Sequence, residues 1–403
     1  MSVFNIKSDF TILRNNPSLA FFDSASTSLV PDCVSDSVCE FLKEKTVSSR
    51  RGAYKFAVEG SQLVTKTRYK LAKYLDCENS QISFQKSIAS SISSLCLGYD
   101  WKKRRKSKIV ISQGEENSVS VSLMRIAKIL GLDIDFIPLD KNGELELNTM
   151  EKIIDDKTGI VAVSHFMVGT GNENPLATIV DISHEHHALV LSDVTQSIAY
   201  TIKSPVEIGA DILLFSGNIG LLGPPGLTLQ WIDSELGRMI QPAVLGGSSV
   251  SNVGLGTYET ALQPDKFETG VLNVPGIVGL GSALDYISSL RADGYFNHLS
   301  ELRNHLQKRL DETETVNVYG TPHEHQTIFG LSLGNDDSLS CHDVALFLDE
   351  SDIYVRSGLI CAHPLVRSLN SQGIIQVSIH CYNSLSDIDR LMDTLILIAD
   401  QLM

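Results

Sequence analysis

The sequence lacks paired cysteines, and this absence excludes two kinds of cross-linked protein. Its cysteines number seven, an odd count, and no two of them form a CxxC pair. A disulfide framework and a cysteine-rich zinc site both require closer or more regular spacing. The pattern is typical of free thiols in a reducing cytoplasm, at Cys33, Cys39, Cys77, Cys96, Cys341, Cys361 and Cys381.

Long apolar runs are also missing. No segment approaches the ~20 consecutive apolar residues that a membrane-spanning helix needs. The first ten residues, MSVFNIKSDF, contain no charged segment followed by an apolar one. We therefore expect neither a secretory signal nor a membrane partner, and we expect a cytoplasmic protein.

Positive charge is in deficit, because 33 Lys and Arg residues stand against 48 Asp and Glu residues, giving a net charge of −15. Such a surface repels phosphate backbones and anionic lipids. The charge argues against nucleic acid as a partner. We interpret one basic stretch, WKKRRKSK (101–108), as a solvated connection, with docking of an acidic partner as the minor alternative.

What the sequence does contain is an alternation of strand-like and helix-like segments. Short apolar runs rich in β-branched residues alternate with helical patterns, which predicts parallel strands covered on both faces. The fold class is therefore α/β, with a mostly parallel sheet flanked by helices. The predicted strands are KIVIS (108–112), DIDFIPL (133–139), GIVAVSH (159–165), HALVLSD (187–193) and DILLFSG (211–217).

The pattern changes after about residue 280. Two amphipathic helices (276–291 and 294–312) lead into shorter strands and a last helix from 385, which indicates a smaller α+β domain. We predict a large domain over 21–280, a small C-terminal domain over 281–403, and an N-terminal segment, 1–20, that packs on the small domain.

Ligands of such sheets bind at the carboxyl ends of the parallel strands. The loops that follow the predicted strands are therefore the places to search for chemistry. They are SQGEENS (112–118), HFMVGTGNENP (165–175), SDVTQ (192–196) and FSGNIG (215–220).

Several motifs occur in order along nearly the whole chain. They are FFDSASTSLVP (21–31), RRGAY (50–54), TRYKLAKYL (67–75), FETGVLNVPGIVGLGSALDYI (267–287) and VRSGLICAHPLV (355–366). In these motifs the chain resembles the cysteine desulfurases and selenocysteine lyases of the class V aminotransferase family, which use pyridoxal phosphate. The resemblance implies a fold-type I PLP-transferase architecture and a homodimer with its site at the subunit interface.

The chain departs from the family pattern at the residues that carry its chemistry. The family writes S-G-H-K where this chain has Ser216-Gly217-Asn218-Ile219, and isoleucine cannot form an imine with the cofactor aldehyde. The nearest lysine along the chain, Lys203, precedes the strand. Gln376 stands at the arginine that grips the substrate carboxylate, and glutamine cannot replace that bidentate clamp. Ala89 stands at a phosphate-binding position and Glu116 at the ring-stacking position. Val168 stands at a position that contacts the cofactor, and Val271 at one that reaches across the dimer to the phosphate.

Other family positions are retained. Asp193 matches the aspartate that pairs with the pyridine nitrogen. Gln196 matches a glutamine near the ring hydroxyl, and Ser216 matches a phosphate ligand. Asp193 also has a plain structural interpretation, since an aspartate at a strand end can anchor a turn. Cys361, with Arg356 upstream, matches the sulfur-accepting cysteine; its alternative is a thiol with no role.

A metal site is not expected. The run His184-Glu185-His186-His187 is rich in potential ligands, but consecutive residues point to different faces of the backbone. Such an arrangement suits tetrahedral coordination badly.

Three hypotheses for function remain. The first is a degenerate desulfurase-like protein without lysine-dependent PLP catalysis, which acts as scaffold, regulator or sulfur carrier through Cys361. It would bind no cofactor covalently and would serve an active desulfurase or a sulfur-acceptor protein. The second is an enzyme with a repurposed pocket between Glu116, Asp193 and Cys361. The third is an ordinary PLP-dependent desulfurase.

Overall fold

A computed structural model describes residues 6–201, 204–334 and 339–402 of the chain. In chain order, the strands are β1 (Ala20–Phe21), β2 (Ile82–Gln85), β3 (Lys108–Ser112), β4 (Asp133–Ile137), β5 (Thr158–Ala162), β6 (Leu189–Asp193), β7 (Ile212–Ser216), β8 (Thr228–Ile232), β9 (Val250–Gly254), β10 (Thr257–Thr260), β11 (Val316–Tyr319), β12 (Ile328–Leu333), β13 (Ile353–Tyr354), β14 (Arg356–Gly358) and β15 (Ile374–Ser378). The α-helices are α1 (Thr11–Asn15), α2 (Asp32–Glu44), α3 (Lys55–Leu75), α4 (Ile88–Gly98), α5 (Asn117–Leu130), α6 (Leu147–Ile153), α7 (Leu176–Glu185), α8 (Pro205–Ile208), α9 (Ser234–Met239), α10 (Val274–Ala292), α11 (Tyr295–Asp311), α12 (Cys341–Asp349), α13 (His363–Leu369) and α14 (Leu385–Leu402). In these ranges no helix is long and apolar enough to cross a membrane.

The larger sheet has the strand order β2-β8-β7-β6-β5-β3-β4. Strands β3 to β7 run parallel, and β8 runs antiparallel between β7 and β2. Every residue of β3 and β5 is buried, because helices cover both faces of the sheet. The mostly parallel sheet flanked by helices is therefore confirmed.

Strand β4 departs from the prediction of full burial. It lies at the edge of the sheet and pairs only with β3 among the described strands. Asp133 is exposed, and Phe136 keeps 44% of its surface exposed. The charged residues Asp133 and Asp135 were the sequence signal for this position, since edge strands commonly carry inward or exposed charges.

The smaller sheet is antiparallel, with the order β11-β12-β15-β14. Its apolar face packs with α11, α12 and α14 around a second core that includes Phe329, Leu331, Val377 and Leu395. Strand β1 pairs with β13, so the start of the chain is joined to this part of the molecule. The division into domains at residues 20 and 280 stays a prediction.

Candidate functional site

A cavity of about 570 Å³ opens at the carboxyl ends of the parallel strands. Its wall comes from the loops after β2, β3, β5, β6 and β7, from residues 23–26, and from the β14–α13 connection. The structure brings all four predicted site residues into this one wall: Asp193, Gln196, Ser216 and Cys361.

Asp193 lies at the end of β6 and is 7% exposed. Its Oδ1 accepts a hydrogen bond from the backbone N–H of Thr195 at 2.9 Å, so the aspartate does anchor a turn. Burial raises its pKa to about 6, and the nearby charge of Glu116 adds to the rise. A buried carboxyl of this kind gains most from a cationic partner inside the cavity.

Gln196 and Ser216 are held by their neighbours. The Gln196 side-chain amide donates to the carbonyl of Ala25 at 3.0 Å, which fixes residues 23–26 over the cavity. The backbone N–H of Ser216 donates to Thr195 Oγ1 at 3.2 Å. Both residues therefore line the cavity while also joining its wall segments.

The loop after β7 presents Ile219 to the cavity. Its backbone is fixed at three points: Ser28 N–H donates to the Asn218 carbonyl at 3.0 Å, Gly220 N–H donates to Ser28 Oγ at 2.9 Å, and Gly223 N–H donates to the Gly217 carbonyl at 3.0 Å. The buried His380 ring lies 3.1 Å from the Gly220 carbonyl. The loop is thus rigidly placed, with a hydrocarbon side chain facing the cavity at its centre.

Lys86 also lines this cavity, from the turn between β2 and α4. It is the one lysine among the described lining residues. In the sequence, Lys86 begins the segment that corresponds to the family's phosphate-binding motif, and only lysines close to Ile219 along the chain were considered for imine formation. Lys203, the nearest of these, lies outside the described residues. The side chain of Lys86 is exposed, so Lys86 stands at the rim of the cavity.

Gln376 does not line the cavity. Its side chain is fully buried in β15, and its Nε2 donates to the backbone carbonyl of Val168. Its Oε1 is buried without a hydrogen-bond partner in the structure. The position that the resemblance assigns to a carboxylate-binding arginine is therefore occupied by an amide that binds the protein's own backbone.

Glu116, at the position that the resemblance assigns to ring stacking, lines the cavity and also caps a helix. It is the N-cap residue of α5, and its side chain accepts from the Ser118 N–H at 3.0 Å and from the Ser118 hydroxyl. Its neighbour Glu115 is buried behind the wall, where Ser164 donates to it twice, from N at 2.7 Å and from Oγ at 2.6 Å. A helix N-terminus favours such a carboxylate cap, which explains the conformation of Glu116.

Cys361 is half-buried and lies directly beside Arg356. The Arg356 Nη2 is 2.8 Å from the Cys361 Sγ, and the Asn117 N–H donates to the Cys361 carbonyl at 2.7 Å. Ile360 and Cys361 both have left-handed backbone, with φ of 49° and 52°. Non-glycine residues rarely adopt this conformation, and consecutive instances at a functional loop indicate a built position for the thiol.

The two remaining sequence features are structural contacts. His184 lies 3.0 Å from Asp211 and His186 lies 3.0 Å from Asp156, so the histidines pair with separate carboxylates. Among the described residues, no three His, Cys, Asp or Glu side chains are grouped to hold a metal ion. In the basic stretch, Lys102, Lys103 and Arg105 are exposed, as a solvated connection requires, whereas Lys108 is buried between carboxylates.

Comparisons with known proteins agree with this architecture. The model of the family described as aminotransferase class-V matches residues 20–391. A probable cysteine desulfurase of Methanothermobacter thermautotrophicus is 30% identical over 395 residues, covering 97% of this chain and 96% of the relative. A cysteine desulfurase of Escherichia coli O8 is 29% identical over 400 residues, with 97% of each chain covered. The apo structure of a cysteine desulfurase from Thermococcus onnurineus has a TM-score of 0.88 and 28% identity, covering 98% of this chain and 97% of that one. This chain belongs to the class V aminotransferase family and is similar to its cysteine desulfurases.

Proposed function

We propose that this protein is a desulfurase-like carrier of sulfur that works through Cys361 and lacks lysine-dependent PLP catalysis. The observation that carries the proposal is the cavity wall itself: a thiol beside a guanidinium is present, while Ile219 fills the place of the imine-forming lysine. A cation close to a cysteine favours the thiolate, which is the nucleophilic form.

The proposed step is a transfer of sulfane sulfur from a protein that carries a cysteine persulfide. The Cys361 thiolate attacks the terminal sulfur of the donor persulfide and forms a new S–S bond. The donor's own S–S bond breaks, and the donor sulfur leaves as a thiolate. No net oxidation occurs, and Cys361 then carries the persulfide to an acceptor protein. An active desulfurase is the natural donor in this scheme.

The cavity supports non-covalent pyridoxal phosphate better than covalent attachment. When bound, this cofactor supplies an electron sink for amino acid chemistry. In this proposal Asp193 would pair with its pyridine nitrogen, and Ser216 and Lys86, which line the same cavity, would bind its phosphate. Ile219 cannot hold the aldehyde as an imine, so the residue at this position does not fit a covalently bound cofactor.

The first test follows the sulfur on Cys361. The protein is incubated with an active cysteine desulfurase and cysteine, and its peptides are analysed by mass spectrometry. We expect a mass gain of one sulfur on the Cys361 peptide, because that thiol is nucleophilic and partly exposed. Cys361→Ser should abolish the gain on that peptide.

Cys39 is the matched control, because it is exposed but lies outside the cavity wall. Cys39→Ser should leave the labelling of Cys361 unchanged. An unmodified Cys361, or equal labelling of Cys39 and Cys361, would contradict the proposal. So would an imine on Lys86 or another lysine that borohydride traps as a labelled peptide from the protein as purified.

The second test asks whether the missing lysine alone explains the missing activity. Ile219→Lys should give no measurable sulfide release from cysteine with added pyridoxal phosphate. Gln376 still binds the Val168 carbonyl and so offers no carboxylate clamp. Visible absorption of the variant reports imine formation separately from turnover. Turnover approaching that of an active desulfurase assayed in parallel would show that the rest of the site is intact.

We also propose that the chain forms a homodimer. The β9–β10 hairpin exposes Val253, Leu255 and Tyr258, and Leu262 follows it with 86% of its surface exposed. Neighbouring exposed apolar side chains of this kind mark protein interfaces. Sedimentation of the intact protein tests the assembly, and a monomer at micromolar concentration would contradict it.

A further inference from the structure

Arg356 and Gln376 are neighbours across a strand pair. In the antiparallel pairing of β14 with β15, Arg356 stands directly opposite Gln376. Side chains of directly opposed residues lie on the same face of a sheet, with Cβ atoms about 5 Å apart. The Arg356 side chain, whose guanidinium contacts Cys361, therefore leaves the sheet next to the Gln376 side chain.

That amide contains an acceptor without a donor. The Gln376 side chain is 0% exposed, its Nε2 is used by the Val168 carbonyl, and its Oε1 has no partner. A buried acceptor in this state is costly, and a charged donor would satisfy it. Arg356 is the cationic donor opposite it in the strand pairing.

We infer that Arg356 is a positioning residue with two alternative partners, the sulfur of Cys361 and the Oε1 of Gln376. In the first arrangement, which the structure shows, the guanidinium contacts the Cys361 sulfur in the cavity wall. In the second, Arg356 binds the Gln376 amide and the Cys361 side chain turns out of the cavity. The inference rests on the proposed function in taking Cys361 as the reacting sulfur.

The backbone of the loop is suited to such an exchange. Ile360 and Cys361 occupy left-handed conformations that non-glycine residues adopt only at a cost, so the loop depends on its contacts to stay in place. The described contacts that hold Cys361 are the bond from Asn117 to its carbonyl and the contact from Arg356 to its sulfur. Loss of the contact from Arg356 loosens the loop. The guanidinium then binds the unsatisfied Oε1 of Gln376, and this hydrogen bond offsets the loss of its contact with the sulfur.

The arrangement gives sulfur transfer the two positions that it needs. A thiol turned into the cavity is protected from solvent, whereas exchange with a partner protein requires a thiol that is turned outward. Gln376 therefore has a use in this chain that differs from the carboxylate binding of an arginine. It stabilises the outward position by accepting the Arg356 guanidinium.

The test measures alkylation of Cys361 by iodoacetamide as a function of pH, using peptide mass spectrometry on the intact protein. The high-pH plateau of the profile reports access to the sulfur. Arg356→Gln should raise this plateau, since the sulfur is no longer held.

Gln376→Met should act in the opposite direction on the plateau. It is close in size to glutamine and has no strong acceptor, so Arg356 loses its alternative partner and stays on the sulfur. We expect a plateau about tenfold lower, the factor that corresponds to one hydrogen bond to a charged group. Cys39, followed in the same digests, should keep its profile in every variant.

A purely structural role predicts something different, namely higher plateaus in both variants. That result, or an unchanged plateau in Arg356→Gln, would overturn the inference. If Arg356→Gln does not fold, Arg356→Met replaces it and should raise the plateau in the same way. Alkylation needs no persulfide, so failure of sulfur loading and failure of the two-partner arrangement are distinguishable.

Discussion

Glu268→Gln should lower the free energy of unfolding by about 3–5 kcal/mol, the cost of breaking a buried ion pair from one side. Glu268 is 0% exposed and lies between two arginines: Arg68 Nη1 is 2.7 Å from its Oε1, and Arg50 Nη2 is 2.7 Å from its Oε2. Its Oε1 also accepts the backbone N–H of Phe84 at 2.9 Å. Glutamine keeps the shape but leaves the Arg68 charge buried without a counter-charge. Urea unfolding at neutral pH measures the loss.

The same chemical change at an exposed ion pair is the control. Glu235 lies 3.9 Å from Arg238 with most of both side chains exposed, and Glu235→Gln should change stability by less than about 0.5 kcal/mol. Adding Arg68→Met to Glu268→Gln should recover part of the loss, because it removes the uncompensated charge. Equal losses in Glu235→Gln and Glu268→Gln would show that burial of the ion pair is not the cause.

Glu268 also shows how a motif can be recognised while its role is missed. The block beginning Phe267-Glu268 is one of the motifs that carry the family resemblance, which assigns a cross-dimer position to Val271 and no role to Glu268. In the structure, Glu268 instead joins α3, strand β2 and the turn before α3 through Arg68, Phe84 and Arg50. The neighbours of Glu268, Phe267 and Thr269, do not distinguish it from an exposed glutamate, although a buried carboxylate requires charged partners. The partners themselves come from distant segments, which no local pattern identifies.

The buried parallel strands and the meeting of their following loops were predictable for a physical reason. Continuous apolar runs such as KIVIS have one stable place in a soluble protein, between two helical layers, and the loops that follow them meet at one edge. For this reason Asp193, Gln196 and Ser216 lie in one cavity wall, whereas Cys361 reaches the same wall from the β14–α13 connection. The fold needed only local periodicity and the known geometry of parallel sheets.

The conformations of side chains at the site were not predictable in this way. Lys86 lines the same cavity as Ile219 although the two are far apart in the sequence, and Glu116 turned to cap its own helix. Gln376 likewise found a backbone carbonyl instead of the cavity. Each side-chain conformation depends on a hydrogen bond between distant segments, or on competition between such a bond and a local hydrogen bond. Residue type alone does not decide the conformation.

These conformations bear on the proposed function. Gln376 donates to the Val168 carbonyl and Glu116 accepts from Ser118, although Glu116 still lines the cavity. Arg356 and Cys361 lie in the wall in contact with each other. Our proposal of a sulfur carrier rests on this contact between a guanidinium and a thiol.

Glu115 should make the stability of the protein fall as the pH rises toward 8. Burial raises the pKa of this carboxyl to about 8, and the charge of Asp193 adds to the rise, against the hydrogen bonds from Ser164. The folded protein therefore keeps a proton that the unfolded chain has lost at any pH between about 5 and 8. The free energy of unfolding should decrease by about 1.4 kcal/mol per pH unit in that window because of this one group.

Glu115→Gln isolates the effect, because an amide reproduces the neutral carboxyl and can keep both contacts to Ser164. Its stability should lie near that of wild type at pH 5 and exceed it increasingly up to pH 8, by several kcal/mol at the upper end. Asp193, whose pKa is raised to about 6, and His380, whose pKa burial lowers to about 4, titrate in both proteins and largely cancel in the difference. Urea unfolding in half-unit steps of pH measures this difference. Stability curves that run parallel from pH 5 to pH 8 would show that Glu115 is already ionised in the folded state, and hence that the wall behind Ser164 is open to water.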